Sequence, residues 1–142
     1  MLERKLTPII KELLNTKEYV SFLIGRNGEF DEFSASLVKR IRKGYGSERS
    51  ELNLVLPYSL SELEFYENYY DNVIIPESLG GAHYKSAIAL RNRWMVENSD
   101  LIIVYIEREQ GGAYATMKYA EKLNKKIINI ARSEGNAMHL TD

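Results

Sequence analysis

The fold is decided by the stretch Leu90-Arg91-Asn92-Arg93-Trp94-Met95-Val96-Glu97-Asn98-Ser99-Asp100-Leu101-Ile102-Ile103-Val104-Tyr105. It predicts a helix that ends near Asn98, followed by a buried strand over 101–105. A polar loop then leads to Gly111-Gly112, which opens another helix. Because ligands of open α/β sheets bind outside the carboxyl ends of the strands, the loop over 106–112 is the first place to expect a site.

One charged residue lies inside the apolar stripe of that helix. At helical spacing the neighbours of Arg91 are all apolar: Ala87, Ile88, Trp94 and Met95. An unpaired guanidinium in such a stripe would cost on the order of several kcal/mol, so an anionic partner is expected. Two alternatives stay open, a bound anionic ligand and an ion pair with a carboxylate of the chain, either Asp31 or Asp100.

Composition restricts the class of protein. The 142 residues are 44% hydrophobic and 27% charged, which is typical of one globular domain spanning 1–142. The net charge of -1 gives no case for nucleic-acid or membrane-surface binding. The chain has no cysteine, and its two histidines have no neighbours that suggest metal ligation, so no metal site is predicted. No apolar run approaches a membrane span, and the expected location is the cytoplasm.

The remaining elements follow from periodicity and turn residues. Strands are predicted over 19–24, 52–56, 72–75, 101–105 and 126–130. The N-terminal segment 1–16 is predicted to be helical, and its turn residues place the helix start at Pro8 with Thr7 as the cap. Further helices follow the glycine turn at 25–28, cover 85–98 and cover 112–124. The tyrosine-rich stretch 58–70 is predicted to be irregular, and 132–142 to be a frayed tail.

Strands that alternate with helices, each strand a near-continuous apolar run, predict an α/β three-layer sandwich with a mostly parallel sheet. With right-handed crossovers, the expected order of the five strands is 3-2-1-4-5. The reversal of direction then falls between the strand over 19–24 and the strand over 101–105. The two glycine turns flank that point, so we expect them to converge on one site.

The predicted ligand-binding residues come from the two turns and the central helix. They are Gly25, Arg26, Asn27, Gly28, Asp31, Arg91, Asn92, Gly111, Gly112, Ala113 and Tyr114. Exposed backbone N–H groups at such turns are suited to a phosphate, although either turn alone is equally well a tight strand-to-helix connection. Asp31 is placed either to contact a ribose hydroxyl or simply to cap its helix. Glu107 and Glu109 are weak catalytic candidates in the loop.

Four motifs resemble the SLOG superfamily, a Rossmann-like group that includes the Lonely-Guy phosphoribohydrolases and DNA-processing protein A. The motifs are Gly25-x-x-Gly28-x-Phe30-Asp31, Val55 to Tyr58, the helix with Arg91, Asn92, Met95, Val96, Ser99 and Asp100, and Gly111 to Tyr114. The likeness spans roughly 19–131 and is strongest to small stand-alone bacterial members. It implies a Rossmann-like fold and a phosphate-binding edge.

The likeness does not extend to the hydrolytic residues of the Lonely-Guy enzymes, which cleave the base from nucleoside monophosphates. Arg91, Met95, Gly111 and Gly112 match their motifs, whereas Asn92 replaces a lysine and Tyr114 a glycine. Ala115 stands at the threonine, and Met117 and Lys118 at the glutamate pair. The resemblance therefore implies phosphate binding without the family's catalytic carboxylate.

Three functions follow as hypotheses. The first is a sensor or regulatory module that binds a nucleotide or nucleotide-derived phosphate ligand, with no further cofactor. The second is a hydrolase or transferase acting on the N-glycosidic bond of a nucleotide, with Glu107 or Glu109 as the carboxylate. The third is an interaction scaffold, for which the acidic pI of about 6.2 argues against DNA. Self-association as a homodimer or larger homo-oligomer is expected for any of them.

Overall fold

The computed structural model describes residues 2–26 and 28–132. Five helices and five strands alternate along this part of the chain: α1 (Leu2–Thr16), β1 (Val20–Ile24), α2 (Glu29–Arg42), β2 (Ser50–Val55), α3 (Leu63–Tyr69), β3 (Asn72–Ile74), α4 (Tyr84–Glu97), β4 (Leu101–Val104), α5 (Gly112–Lys122) and β5 (Lys126–Asn129). A short 3-10 turn at Glu77–Leu79 precedes α4. Within the described ranges, none of the helices has the length and apolar character needed to cross a bilayer. The predicted tail lies outside the described residues apart from Arg132.

The strands are parallel, as predicted, and form two small sheets. One contains three strands in the order β1-β2-β3, and the other pairs β4 with β5. The register aligns Val20 with Ser50 in the first sheet and Leu101 with Lys126 in the second. Among the described residues, no strand pairing links β1 to β4, where the expected single sheet would be continuous. The α/β class with parallel strands is thus confirmed, in two sheets.

One face of the strands carries the main hydrophobic core. Alternate residues of β2 and its extension point to this face, and Leu52, Leu54 and Leu56 are essentially inaccessible to solvent. The buried residues of α1 and α2 pack onto them together with Ile128 and Ile130 from the β5 segment. Leu101 and Ile103 of β4 contact the same cluster. The two sheets therefore share one core despite their separate backbone pairing.

The opposite face of β2 is polar at its beginning. Asn53 is 1% exposed, and its amide nitrogen donates to Ser21 Oγ at 2.9 Å and to Glu51 Oε2 at 3.0 Å. Asn72 of β3 donates to Asn53 Oδ1 at 2.8 Å. These bonds satisfy the buried amide, which would otherwise destabilise the strand. The expectation that each strand is a near-continuous apolar run is therefore wrong on this face of the three-stranded sheet, where Ser21, Asn53 and Asn72 are hydrogen-bonded to one another.

Helix α1 begins earlier than its turn residues predict. It starts at Leu2, so Pro8 lies inside the helix and Thr7 is not its cap. Leu6 is buried on the same apolar stripe of the helix as Ile9 and Ile10. A helix that started at Pro8 would not include Leu6. Burial of that stripe outweighs the hydrogen bond that proline removes.

The tyrosine-rich stretch 58–70, predicted to be irregular, contains helix α3. Tyr66 and Tyr70 are 3% and 9% exposed and belong to the main core. The ring of Tyr70 also lies 5.0 Å from that of Tyr69. Tyr66 and Tyr70 therefore pack this segment onto the main core.

Replacing Pro8 with alanine should stabilise the fold, because the restored N–H can donate to the carbonyl of Arg4 one turn earlier. We expect a gain of about 1–3 kcal/mol in the free energy of unfolding, slightly offset by the greater freedom of the unfolded chain. Denaturant titration measures it. A loss of stability in Pro8→Ala would indicate instead that the helix begins at Pro8.

The stability of the protein should fall at alkaline pH through Tyr70. Burial raises the pKa of the Tyr70 hydroxyl to about 12, from its ordinary value near 10. A raised pKa in the folded state contributes stability that is complete below pH ~10 and is lost as the pH rises through ~12. Urea midpoints between these values should decline, and Tyr70→Phe should remove part of the decline. An identical decline in both proteins would assign it to other groups.

Candidate functional site

The candidate site lies where the first two strands end. Gly25 follows β1 directly, Val55 is the last residue of β2, and Arg91 reaches both from the middle of α4. The burial expected of Arg91 is observed, since only 1% of the residue is exposed. Arg91 thus connects the helix that crosses between the two sheets to the carboxyl end of the three-stranded sheet.

The guanidinium is held by two neutral oxygen acceptors. Its Nη1 donates to the backbone carbonyl of Val55 at 2.8 Å, and its Nε donates to Asn92 Oδ1 at 2.9 Å. A charged donor to a buried carbonyl forms a stronger bond than a neutral one. Asn92, predicted to contact a ligand, is here committed to orienting its neighbour.

The electrostatic environment of Arg91 identifies the carboxylate that acts on it. Burial lowers the pKa of the Arg91 guanidinium, and the negative charge of Asp31 acts in the opposite direction. Asp100 is exposed at the start of β4, beyond the end of α4. Of the two carboxylates left open by the sequence, Asp31 is therefore the one that balances Arg91.

Gly25 is needed for this arrangement because the guanidinium lies directly against it. A Cβ at Gly25 would be 3.2 Å from Arg91 Nη1, 3.3 Å from its Cζ and 3.5 Å from Asp31 Oδ2. The first two distances are shorter than ordinary van der Waals contact. The first glycine of the turn is therefore needed for the packing of Arg91 against the turn.

The other turn glycines are not required in the same way. A Cβ at Gly28 or Gly112 would have no atom within 4 Å, and Gly28 has an extended φ of -178° that any residue adopts. Gly111 does need to be glycine, because its φ is +96°. Gly28 and Gly112 are exposed, so both positions offer open space at the start of a helix.

These two helices also begin without a side-chain cap. Gly28 precedes α2 and Gly111 precedes α5, and neither has a side chain that accepts from the first turn. In contrast, Lys85 N of α4 donates to His83 Nδ1 at 3.3 Å. At the start of α5, no side chain of the described residues is seen to cap the first N–H groups, which are open to solvent or a ligand.

The two helix starts differ in charge. The first turn of α2 contains Glu29, Asp31 and Glu32, whereas the first turn of α5 contains no acidic residue. Carboxylates at a helix N-terminus already occupy the favourable potential that an anion would use. The start of α5, with Gly112, Ala113 and Tyr114, is the better place for a phosphate.

One ring contact joins the two halves of the site. The rings of Phe30, in the first turn of α2, and Tyr105, directly after β4, lie 6.2 Å apart at an interplanar angle of 31°. Tyr105 is 36% exposed. The turn after β1 and the segment after β4 thus meet at the same edge, even though their strands are not paired.

Arg26, Glu107 and Glu109, which were also predicted as site residues, are exposed at the rim. The Arg26 guanidinium lies 5.0 Å from the Tyr66 ring centroid and 3.4 Å from Glu32 Oε2, so its charge is already partnered. Asn27 lies outside the described residues. Glu107 and Glu109 are exposed in the loop before α5. Within the described ranges, no three acidic or histidine side chains are grouped to hold a metal ion.

The structure also shows two residues that the sequence did not single out as site residues. Asn129, at the end of β5, accepts from Ile106 N at 3.0 Å and donates to Ile106 O at 2.9 Å, which fixes the start of the glycine loop. The other is Tyr58, whose side chain lies close enough to Arg91 to affect its pKa. The sequence could have indicated Tyr58, which belongs to the motif Val55 to Tyr58. It could not have indicated Asn129, because an asparagine at the end of a strand belongs to no motif.

Comparisons of the chain with protein-family models, with curated proteins and with solved structures found no match. The resemblance to the SLOG superfamily therefore rests on the residues of its four motifs. What the site is able to bind is inferred from the contacts of Gly25, Asp31 and Arg91 and from the N-termini of α2 and α5.

Alanine at Gly25 should destabilise the protein, whereas alanine at Gly28 should not. The added methyl group at Gly25 must displace a guanidinium anchored on Val55, which we expect to cost about 1–3 kcal/mol. Gly28→Ala is the matched control, with an expected change within about 0.5 kcal/mol. Urea unfolding of both variants measures the difference. Equal stabilities would show that Arg91 moves freely away from the turn.

Proposed function

We propose that this protein binds a nucleotide or a nucleotide-derived phosphate ligand at the edge formed by the turns after β1 and β4. The observation that carries the proposal is the uncapped start of α5, where Gly112 is exposed and the fold itself places no demand for glycine. Backbone N–H groups at a helix N-terminus are suited to phosphate oxygens, and a side chain at this position would occupy their approach.

The phosphate is assigned to α5 on the grounds of charge. A phosphate at α2 would meet three carboxylates in the first turn, while α5 presents none there. The favourable interaction of a charge with a helix terminus is only about 0.3–1 kcal/mol, so nearby carboxylates are enough to decide between the two. Arg91 holds the neighbouring edge in shape through its bond to the Val55 carbonyl and its contact with Gly25.

The acidic turn of α2 then suits the sugar. Carboxylate oxygens accept hydrogen bonds from hydroxyl groups, and Asp31 is half-buried beside Gly25 at this turn. The exposed ring of Tyr105, supported by Phe30, offers a face on which a base can stack. In this proposal the two sheets act as one platform of strand order 3-2-1-4-5, which their common core supports.

We propose binding rather than catalysis because the candidate carboxylates are exposed. Cleavage of an N-glycosidic bond needs an acid or base that is held within hydrogen-bond reach of the substrate. Glu107 and Glu109 are exposed in the polar loop, and the family's glutamate positions hold Met117 and Lys118. A sensor or regulatory module fits this edge better than a hydrolase does.

The proposal is tested by thermal shift with nucleoside monophosphates, nucleoside diphosphates, ADP-ribose and cyclic nucleotides. A ligand at about 100 times its dissociation constant adds roughly 2.7 kcal/mol to the free energy of unfolding. We expect Gly112→Ala to abolish the shift while leaving the melting temperature of the free protein unchanged. Gly44→Ala, whose nearest atom is 3.8 Å from the new Cβ, is the matched control outside the site.

Two results would contradict the proposal. One is the absence of stabilisation by every compound at millimolar concentration. The other is a shift that Gly112→Ala leaves intact, which would place the ligand elsewhere. Free base released on incubation, and lost in Glu107→Gln or Glu109→Gln, would instead establish the hydrolase alternative.

A further inference from the structure

The two sheets meet at two strand edges that have no partner strand. β1 is an outer strand of one sheet and β4 an outer strand of the other, and within the described ranges no pairing joins them. Side chains of both strands nevertheless pack in one hydrophobic core. Tyr105, directly after β4, also contacts Phe30 in the first turn of α2, which places β4 beside β1. We call the facing edges of Val20–Ile24 and Leu101–Val104 the seam.

The backbone hydrogen bonds of β1 show which of its groups point into the seam. Val20 N donates to Arg49 O at 3.1 Å, so the N–H and C=O groups of Val20 and Phe22 point towards β2. The direction of these groups alternates along a strand, so those of Ser21 and Leu23 point away from β2 and into the seam. In the described part of the chain, no backbone partner is found for them on that side.

The same reasoning applies to β4. Val104 O accepts from Ile130 N at 2.9 Å, so the backbone groups of Val104 and Ile102 point towards β5. Those of Leu101 and Ile103 therefore point into the seam, towards β1. Each side of the seam thus presents a row of backbone donors and acceptors that has no ladder to join.

The two edges are complementary in register. The side chains of Phe22 and Ile103 both contact the shared core, so the two strands turn the same face towards it. In a parallel pair, a residue whose backbone groups point across is bonded to two residues that flank its opposite neighbour. Leu23 is therefore able to bond to Leu101 and Ile103 while every side chain keeps its face. Closure needs only an approach of the strands to about 4.8 Å, without rotation.

Solvent reaches the seam along β4. All four residues of Leu101–Val104 are half-buried, whereas Leu52 and Leu54 of β2 are inaccessible. A central strand of a parallel sheet that is covered on both faces is expected to be as buried as β2. At the carboxyl ends of the strands, the seam is bridged by the rings of Phe30 and Tyr105, whose centroids are 6.2 Å apart. The seam therefore ends at the two turns to which the nucleotide site is assigned.

We propose that a nucleotide bound across the turns after β1 and β4 closes the seam and joins the two sheets into one sheet of order 3-2-1-4-5. This inference rests on the proposed function, in which the phosphate lies at the start of α5 and the sugar at the start of α2. A ligand shifts an equilibrium only through its different affinity for the two states. The closed state brings both turns within reach of one ligand, so it is the state that the ligand favours. The pairing of β1 with β4 is then the signal that a sensor transmits.

The test is amide hydrogen exchange of the wild-type protein, followed residue by residue by NMR. In the free protein, the N–H groups of Leu23 and Ile103 should exchange about tenfold faster, or more, than those of Phe22 and Ile102, which are bonded to β2 and β5. AMP, ADP and ADP-ribose are then added separately at millimolar concentration. Each compound that raises the melting temperature should bring the four rates together. The ratio is the readout, because general stabilisation slows all four amides alike.

Two variants show whether the effect comes from the site. Gly112→Ala should remove the change in ratio together with the thermal shift. Gly44→Ala, in which the nearest atom is 3.8 Å from the new Cβ, should keep both. A change in ratio that persists in Gly112→Ala would contradict the coupling of the seam to this site.

Four further results would overturn the inference. Equally slow exchange of all four amides in the free protein would show that the seam is already closed. A thermal shift with no change in the ratio would remove this inference and leave the proposed function standing. The absence of a thermal shift with every compound would remove both. A ratio that depends on protein concentration would assign the pairing of these edges to a second copy of the chain.

Discussion

The structure depends on one constraint, the burial of a permanent positive charge between a helix and the ends of two strands. Arg91 is 1% exposed, and its burial is compatible with folding because Val55, Asn92 and Asp31 supply oxygen atoms or negative charge around it. Each partner comes from a different segment. The cation therefore fixes α4 relative to the turn after β1 and the end of β2, and it leaves no room for a side chain at Gly25.

That constraint separates the parts of the edge that build the fold from those that are open to a ligand. Gly25 and Asn92, both motif residues, are occupied by Arg91 itself. Gly28 and Gly112 are exposed, and the structure does not require glycine at either position. The four motifs therefore contain residues that shape the fold as well as residues that are open to a ligand. Only the contacts of each residue distinguish the two groups. The first turn of α5 contains no carboxylate, which is why we propose the phosphate there and not at α2.

The sequence by itself determined the order of the helices and strands apart from α3, and the burial of Arg91, because both follow from local periodicity. Tertiary structure decided what the sequence could not. The acceptor for Arg91 is a backbone carbonyl 36 residues away, and a carbonyl has no residue type to recognise. Helix α1 continues through Pro8 because burial of Leu6 outweighs a lost hydrogen bond. The separation of β1 from β4, and the contact of Phe30 with Tyr105 across it, arise from side-chain packing between distant segments, which local patterns do not encode.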